Sequence, residues 1–431
     1  MSSLYIILGT SVLTVLLAGY LGQIYLPPPK PKVVGIDLGT TFSCVGIYQA
    51  VTGRVSVLTT QDDHKCIPSV VAILDDGILV GYDAVAQAEH NPSNTLYDAK
   101  RFIGKTFSKK EVDEAQKQYS FKLKPDQFGM VSFSVAVNGT ERLITPQEVG
   151  SLIIQELKQA VERNLSAPVN RAVLSVPAEF DDKQRNFTIK AGTIAGLEIL
   201  RVINEPTAAA MAYGLHTKSN IHNVLVVDLG GGTLDVSLLN VQGGMFLTQA
   251  MAGNNRLGGQ DFNQRLVEYI LEKIKGQFKK LLVHKEDLQV LRMKVEEAKL
   301  NLTYHNTASI SIQLQSFNNS PFKETITRGL FEKINSDLFL RILKPIDTVL
   351  QATELSPEEV DEIVLVGGST RIPRVISLVE EHMKRRPNTN VDPELAVVTG
   401  VSVQAGILGG MWPLTVSAVE LPTRVKKIHI H

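Results

Sequence analysis

Cysteine is almost missing from this chain: 431 residues hold two, Cys44 and Cys66. Two thiols exclude a multi-bridge disulfide framework and, by themselves, a metal centre, so the expectation for Cys44 is a buried free thiol. An excess of charge is missing too, because 44 Lys and Arg balance 44 Asp and Glu. No global field therefore argues for nucleic acid or an acidic surface as a partner. A long disordered block is also absent, since apolar residues make up 44% and Gly and Pro are spread along the chain. This length builds two or three domains, each with its own core.

Uncharged apolar sequence is concentrated in residues Leu4 to Leu26. At about 1.5 Å per residue that run is long enough to span a hydrocarbon core, and a shorter secretory segment, Leu4 to Ala18, fits inside it. Signal peptide and membrane anchor both stand as readings of residues 1–29, and residues 4–26 are where membrane contact is expected. Pro27, Pro28, Pro29 and Pro31 follow as a stiff spacer.

The stretch around which the rest is organised is Val33–Tyr48. Two β-branched runs flank Asp37-Leu38-Gly39-Thr40-Thr41, which has the composition of a hairpin turn. Gly39 lets the backbone approach a ligand closely, and Thr40 and Thr41 add hydroxyls beside exposed N–H groups, a place to hold a phosphate. Asp37 is placed to hold Mg²⁺ through its water shell. Val224–Leu239 repeats the device, with Asp228, then Gly230, Gly231, Gly232 and Thr233, then Asp235. The two leading aspartates are 228 − 37 = 191 residues apart, a spacing that suits duplicated domains. Two similar lobes, each offering a phosphate hairpin, imply a nucleotide clamped between them.

Elsewhere the order of elements is that of an α/β protein. Thr145-Pro146-Gln147-Glu148 is a capping box that opens an amphipathic helix. A strand at Ala172–Val176, a helix from Asp181 to near Gly196 and a strand at Ile199–Ile203 follow. Glu205 then stands where a strand gives way to a helix; it is either a first-turn residue favoured by the helix dipole or a ligand-side carboxylate. Lys100 and Arg101 are either a solvated pair or a lysine reaching towards the phosphates. Gly104-Lys105-Thr106 fails as a phosphate-binding loop, because Ala99 stands where that motif needs glycine. Glu296, Lys299 and Thr303 share one face of a helix. Leu330–Leu350 reads as a single helical stretch. Gly367-Gly368-Ser369-Thr370-Arg371 is a glycine turn suited to a nucleotide's sugar and phosphate, with Arg371 available to a base. Asp392-Pro393-Glu394 caps a last helix that ends near Gly409.

Asp37–Thr41 with its preceding Ile36, Asn204–Ala210 (NEPTAAA), Asp228–Asp235 (DLGGGTLD) and Gly367–Pro373 (GGSTRIP) occur in this order. Together they resemble the ATPase domain of the 70-kDa heat-shock chaperones, over nearly all of residues 32–410. The resemblance implies an α/β, actin/hexokinase-like ATPase fold of two lobes, each of two subdomains, around a cleft for MgATP or MgADP. The lobes are expected at 30–217 and 218–410, with a short tail at 411–431. It assigns phosphate binding to Gly39, Thr40, Thr41, Gly230, Gly231, Gly232 and Thr233, and the magnesium side to Asp37 and Asp228. Lys100 matches the lysine that places the attacking water, and Glu205 and Asp235 match residues around that water and metal. Glu296, Lys299, Thr303, Gly367, Gly368, Ser369, Arg371 and Glu394 match the nucleoside pocket.

The chain departs from the family pattern in three places. Leu300 replaces an arginine usual beside the base, and Glu179 replaces an aromatic usual after Pro177-Ala178. The linker, peptide-binding sandwich and lid have no counterpart, as only 431 − 410 = 21 residues follow the core and a sandwich needs on the order of 100. The expectation is a slow ATPase acting through separate protein partners or cochaperones; a nucleotide-gated adaptor with little hydrolysis is the alternative, slightly favoured by Leu300. A small-molecule kinase on the same fold is disfavoured by the chaperone-like motifs. Lys30 and Lys32 argue for a cytosolic core. The signal-like run and the resemblance to microsome-associated members of the family argue instead for the endoplasmic reticulum, which is preferred.

Overall fold

The computed structural model describes residues 11–15, 17, 31–60, 63–280, 285–410, 419–421 and 425–430. Most of the apolar run at 4–26 lies outside them; among the described residues no helix is long and apolar enough to cross a membrane.

In the first half, β1 (Val34–Leu38), β2 (Phe42–Gln49) and β3 (Arg54–Val57) form an antiparallel meander, with β4 (Cys66–Pro68) also on β2. Helix α1 (Pro146–Leu165) starts at the expected box, in which Thr145 and Glu148 each cap the other's backbone. Then come β5 (Arg171–Val176), α2 (Asp182–Ile194), β6 (Glu198–Asn204) and α3 (Glu205–Ala212). The sheet runs β6-β5-β1-β2-β3, with β5 and β6 parallel to β1. Two small three-stranded sheets lie between β4 and α1.

The second half repeats the plan. Strands β7 (Asn223–Leu229), β8 (Leu234–Gln242) and β9 (Met245–Asn254) make the meander. Helices α4 (Gly259–Phe278) and α5 (Lys285–Tyr304) and the hairpin of β10 (Thr307–Leu314) and β11 (Ser320–Thr327) follow. β12 (Glu362–Val366) lies parallel to β7, as β5 does to β1. The duplication extends to register. Asp37 pairs with Cys44 across β1–β2, and Asp228 with Asp235 across β7–β8, each a step before a turn of equal length.

Three expectations need correction. The stretch Leu330–Leu350 is three helices, Arg328–Ile334, Ser336–Arg341 and Leu343–Thr353. Their first break is at the fully buried Asn335, whose amide donates to the Phe331 carbonyl at 3.0 Å and so competes with the regular ladder. The last core helix, α6 (Ala396–Leu408), was expected in the second lobe; it packs on β1, β2 and α3 of the first. Glycines make that approach feasible: a Cβ on Gly35 would lie 2.4 Å from the Ser402 nitrogen, and one on Gly400 1.7 Å from the Ala208 carbonyl oxygen.

Nor is Cys44 free. It is bonded to Cys66, its direct partner across β2–β4, with Cα atoms 4.4 Å apart. Two cysteines facing each other in an antiparallel pair stand at bridging distance, but the pairing joins residues whose adjacency is not written in the local pattern. After α6, β13 (Val419–Glu420) and β14 (Ile428–His429) add two short parallel strands to β9.

Candidate active site

Four carboxylates end the strands that face each other between the two halves. Asp37 closes β1 and accepts from Ser175 Oγ of β5 at 2.6 Å. Glu205 opens α3 directly after β6 and pairs with Lys100, which the turn Ala99–Arg101 supplies; the two side chains are 18% and 9% exposed. The reading of Lys100 as half of a solvated pair is thereby corrected: it is buried and paired with Glu205. Asp228 and Asp235 face each other at the β7–β8 turn.

Burial is the main cause of each carboxylate shift here. It raises Asp37, against the opposing pull of Lys100 and the Ser175 hydrogen bond. It raises Glu205, again against Lys100, with Asp37 adding to the rise. Asp228 is pushed well above the usual carboxylate range by burial and then by repulsion from Glu205, Asp235 and Asp37. Lys100 is held above its ordinary value because Glu205, Asp37 and Asp228 together outweigh its own desolvation. This is a buried acidic cluster short of positive charge, with an all-oxygen donor set suited to a hard divalent cation. Among the described residues no three acidic, His or Cys side chains group closely enough to ligate a metal directly.

Above the carboxylates the two turns converge. The carbonyls of Gly39 and Thr41 accept from the hydroxyl and amide of Ser69, each at 2.8 Å, which fixes the first turn. The Gly230 amide donates to the Thr233 carbonyl at 3.0 Å and closes the second. A Cβ on Gly231 would lie 3.3 Å from Thr41 Oγ1, so the turns face one another across the cleft. One on Gly232 would meet Arg101 Nη2 at 3.1 Å. Behind them the amides of Gly259 and Gln260 donate to the carbonyls of Gly230 and Gly231, at 3.0 and 2.7 Å.

The residues expected to hold a nucleoside gather on the second-half side. Ser369 Oγ donates to the Gly230 carbonyl at 2.8 Å, and Lys299 Nζ lies 2.9 Å from Glu296 and 3.4 Å from the Gly259 carbonyl oxygen. Gly367 takes φ +83°, and a Cβ there would lie 2.3 Å from the Leu229 carbonyl oxygen, so this turn needs glycine. A Cβ on Gly368 would run into Glu394. Arg371 is held edge-on by Asp392 and by Glu394, the latter at 3.4 Å. Thr303 lies a turn beyond Lys299, and its carbonyl accepts from Arg328 at 3.2 Å. Leu300 is 54% exposed and Tyr304 72%.

Sequence reasoning missed several participants. Ser69 and Ser175 carry no motif, and their roles arise only from strand pairing. Lys427 and Glu420, in the segment after α6, reach the cleft from more than 170 residues away. Lys427 Nζ lies 2.6 Å from Asp235 and 3.6 Å from Glu179. It lines a small cavity of about 30 Å³ together with Glu205, Asp228, Pro177 and Met251.

Two meanders related by duplication, with a carboxylate at the same register position in each and glycine turns meeting over them, define the actin/hexokinase-like ATPase fold. The family model described as "Hsp70 protein" matches residues 33–422. Heat shock 70 kDa protein 13 of Bos taurus and that of Homo sapiens are each 51% identical to this chain, over 97% of both sequences. A Heat shock 70 kDa protein of Neurospora crassa is 44% identical over 88% of this chain and 58% of its own length. The chain belongs to the Hsp70 family. Its fold is that family's nucleotide-binding domain, which implies ATP or ADP and typically magnesium; members are generally ATPases that work with cochaperones.

Proposed function

We propose that this chain is a slow, magnesium-dependent ATPase whose nucleotide state is read by separate protein partners. The observation that carries the reading is the cluster of Asp37, Glu205, Asp228 and Asp235 with the buried Lys100, beneath two glycine turns that face each other across the cleft. The donor set fits the group: buried carboxylates in excess of the cations beside them call for a hydrated divalent cation, and the glycines of the turns leave room where a side chain would block phosphate. Bound MgATP supplies an electrophilic γ-phosphoryl group whose developing charge the metal neutralises.

The residues then divide the work. Thr40, Thr41 and the Gly230–Thr233 turn orient the phosphates from opposite sides. Asp37 and Asp228 hold the metal's water shell. Lys100, fixed by Glu205, aims its remaining N–H bonds at the attacking water; Glu205 and Asp235 orient that water and accept its proton. Ser369, Lys299, Glu296 and Arg371 grip the nucleoside, and Leu300 leaves one side of the base against an aliphatic group. Positioning and charge neutralisation provide most of the acceleration. We assign the lobes to residues 30–217 and 218–395, with α6 packed on the first. The Cys44–Cys66 bond supports residence in an oxidising compartment such as the lumen of the endoplasmic reticulum, reached through the apolar run at 4–26.

Single-turnover ATP hydrolysis by residues 30–431, with and without Mg²⁺, beside a Lys100→Ala variant, tests the reading. Magnesium-dependent turnover that falls about 10²–10³-fold in the variant supports it. Tight nucleotide binding with no turnover in either protein moves the function to a nucleotide-gated adaptor.

A further inference from the structure

The segment beyond α6 joins both halves of the molecule through its two best-buried charges. Glu420 accepts from the Asn204 amide at 2.8 Å, one residue before Glu205, while its own strand pairs with β9 of the other half. Lys427 is 4% exposed and touches Asp235 of the second half and Glu179 of the first. A set of specific contacts fixes its position. The Ile430 amide donates to the Gly253 carbonyl at 2.8 Å, the Ile430 side chain is buried in the second-half core, and Lys427 Nζ also donates to Asn255 at 2.9 Å. A Cβ on Gly253 would lie 2.6 Å from Lys427 Cε, so glycine leaves the channel through which the lysine enters.

We infer that Lys427 is a positioning residue of the nucleotide site: it supplies a second resident cation to the carboxylate cluster, fixes Asp235 and holds it against Glu179 across the cleft. This rests on the nucleotide-binding reading above. Lys100 serves the Glu205–Asp37 side of the cluster, and Lys427 serves the Asp235 side. With one cation at each end, the cleft accepts a polyanionic nucleotide and still has carboxylate left over for the metal's water shell. Remove Lys427, and Asp235, Asp228 and Glu205 present a more negative face that repels phosphate and attracts a free divalent cation. Glu179 then has no partner where it lines the cavity.

The test uses Lys427→Met, which keeps the length of the side chain and removes its charge, and Lys427→Arg, which keeps the charge, both in the full chain. MgADP affinity is measured by calorimetry. Mn²⁺ affinity of the nucleotide-free protein is measured by electron paramagnetic resonance. Amide exchange at 428–430 shows whether β14 stays docked. We expect K427M to bind MgADP about 5- to 20-fold more weakly and Mn²⁺ more tightly, with K427R restoring both. Unchanged affinities in K427M overturn the inference. So does an equal loss in K427R while residues 428–430 remain protected, because shape and not charge is then what matters. If the unmodified chain binds no nucleotide, the functional reading fails while the Mn²⁺ comparison still decides the role of Lys427.

Discussion

Replacing Asp228 with asparagine should make the nucleotide-free protein more stable and the nucleotide-loaded protein less so. Asp228 stands directly opposite Asp235, and β partners of that kind have Cβ atoms about 5 Å apart. At that separation and an effective dielectric constant of about 20, a like-charge pair costs about 3 kcal/mol, and Glu205 and Asp37 add to the repulsion. The nearby Lys100 and Lys427 offset part of this, which leaves about 1–2 kcal/mol for the neutral amide to recover. In a chain of this size that is a rise in melting temperature of about 1–2 °C. Ligand at about a thousand times its dissociation constant adds about 4 kcal/mol of stability, and in the proposed role of Asp228 the asparagine lacks the charge that would hold the metal's water shell. Thermal melts near neutral pH, with and without saturating MgADP, should therefore cross: the variant melts above the wild type when empty and below it when loaded. An empty variant that melts below the wild type, or one that keeps the full ligand-induced shift, would refute the charge argument.

The same cluster sets a pH trend. Asp37, Glu205 and Asp228 all titrate above their ordinary values, so the native state holds more protons than the unfolded chain between those values and the raised ones. Stability of the empty protein should thus decline as pH climbs from the ordinary carboxylate value through the elevated one, and urea titrations across pH should show D228N with a flatter slope. Breaking the Cys44–Cys66 bond, which closes a loop of separation 22, should cost about 3 kcal/mol; a reductant-dependent drop in the urea midpoint that is absent from C44A/C66A checks it. Gly400→Ala drives a methyl group into the Ala208 backbone and should cost at least about 3 kcal/mol, read as a lower urea midpoint with α6 and α3 losing exchange protection together. If the nucleoside binds as proposed, Leu300→Arg puts a planar cation beside the base and should tighten ADP binding several-fold by calorimetry without moving the apo melting temperature, because residue 300 is exposed.

What could be read in the sequence was whatever repeats or is local. The Asp-Leu-Gly hairpins announced themselves by recurring in matching apolar contexts, and the structure gives them the same register, down to the residue opposite each aspartate. Thr145 and Glu148 fixed the start of α1 because a capping box is a four-residue device. The glycine turns at 230–233 and 367–371 were legible for the same reason. What escaped depends on pairing across long separations. Cys44 read as a buried thiol because nothing near it says that Cys66 will lie on the next strand over. Lys427 is one basic residue in a basic tail until β14 docks and turns it into the cleft. Helix α6 is apolar on nearly every side, so its pattern gives no direction, and only the glycines it meets on β1 and β2 say which half it joins. The break at Asn335 is legible only in retrospect, since an asparagine in an apolar stretch ordinarily faces water.

Duplication also explains why the cleft is charged as it is. Each half ends its first strand in an aspartate at the same register position, so bringing the halves together necessarily brings like charges together. Closure without a counter-cation is opposed by electrostatics: at Asp228, repulsion from Glu205, Asp235 and Asp37 adds to the burial that raises it. Lys100 relieves it within the first half through Glu205. Lys427 relieves it between halves, by a contact to Asp235 on one side and Glu179 on the other. A hydrated divalent cation carried in with a nucleotide would complete the neutralisation and favour the closed arrangement over the open one. On this account ligand-driven closure in this chain arises from the charge its own folding concentrates: a variant with fewer cleft carboxylates should close more readily when empty and respond less when nucleotide arrives.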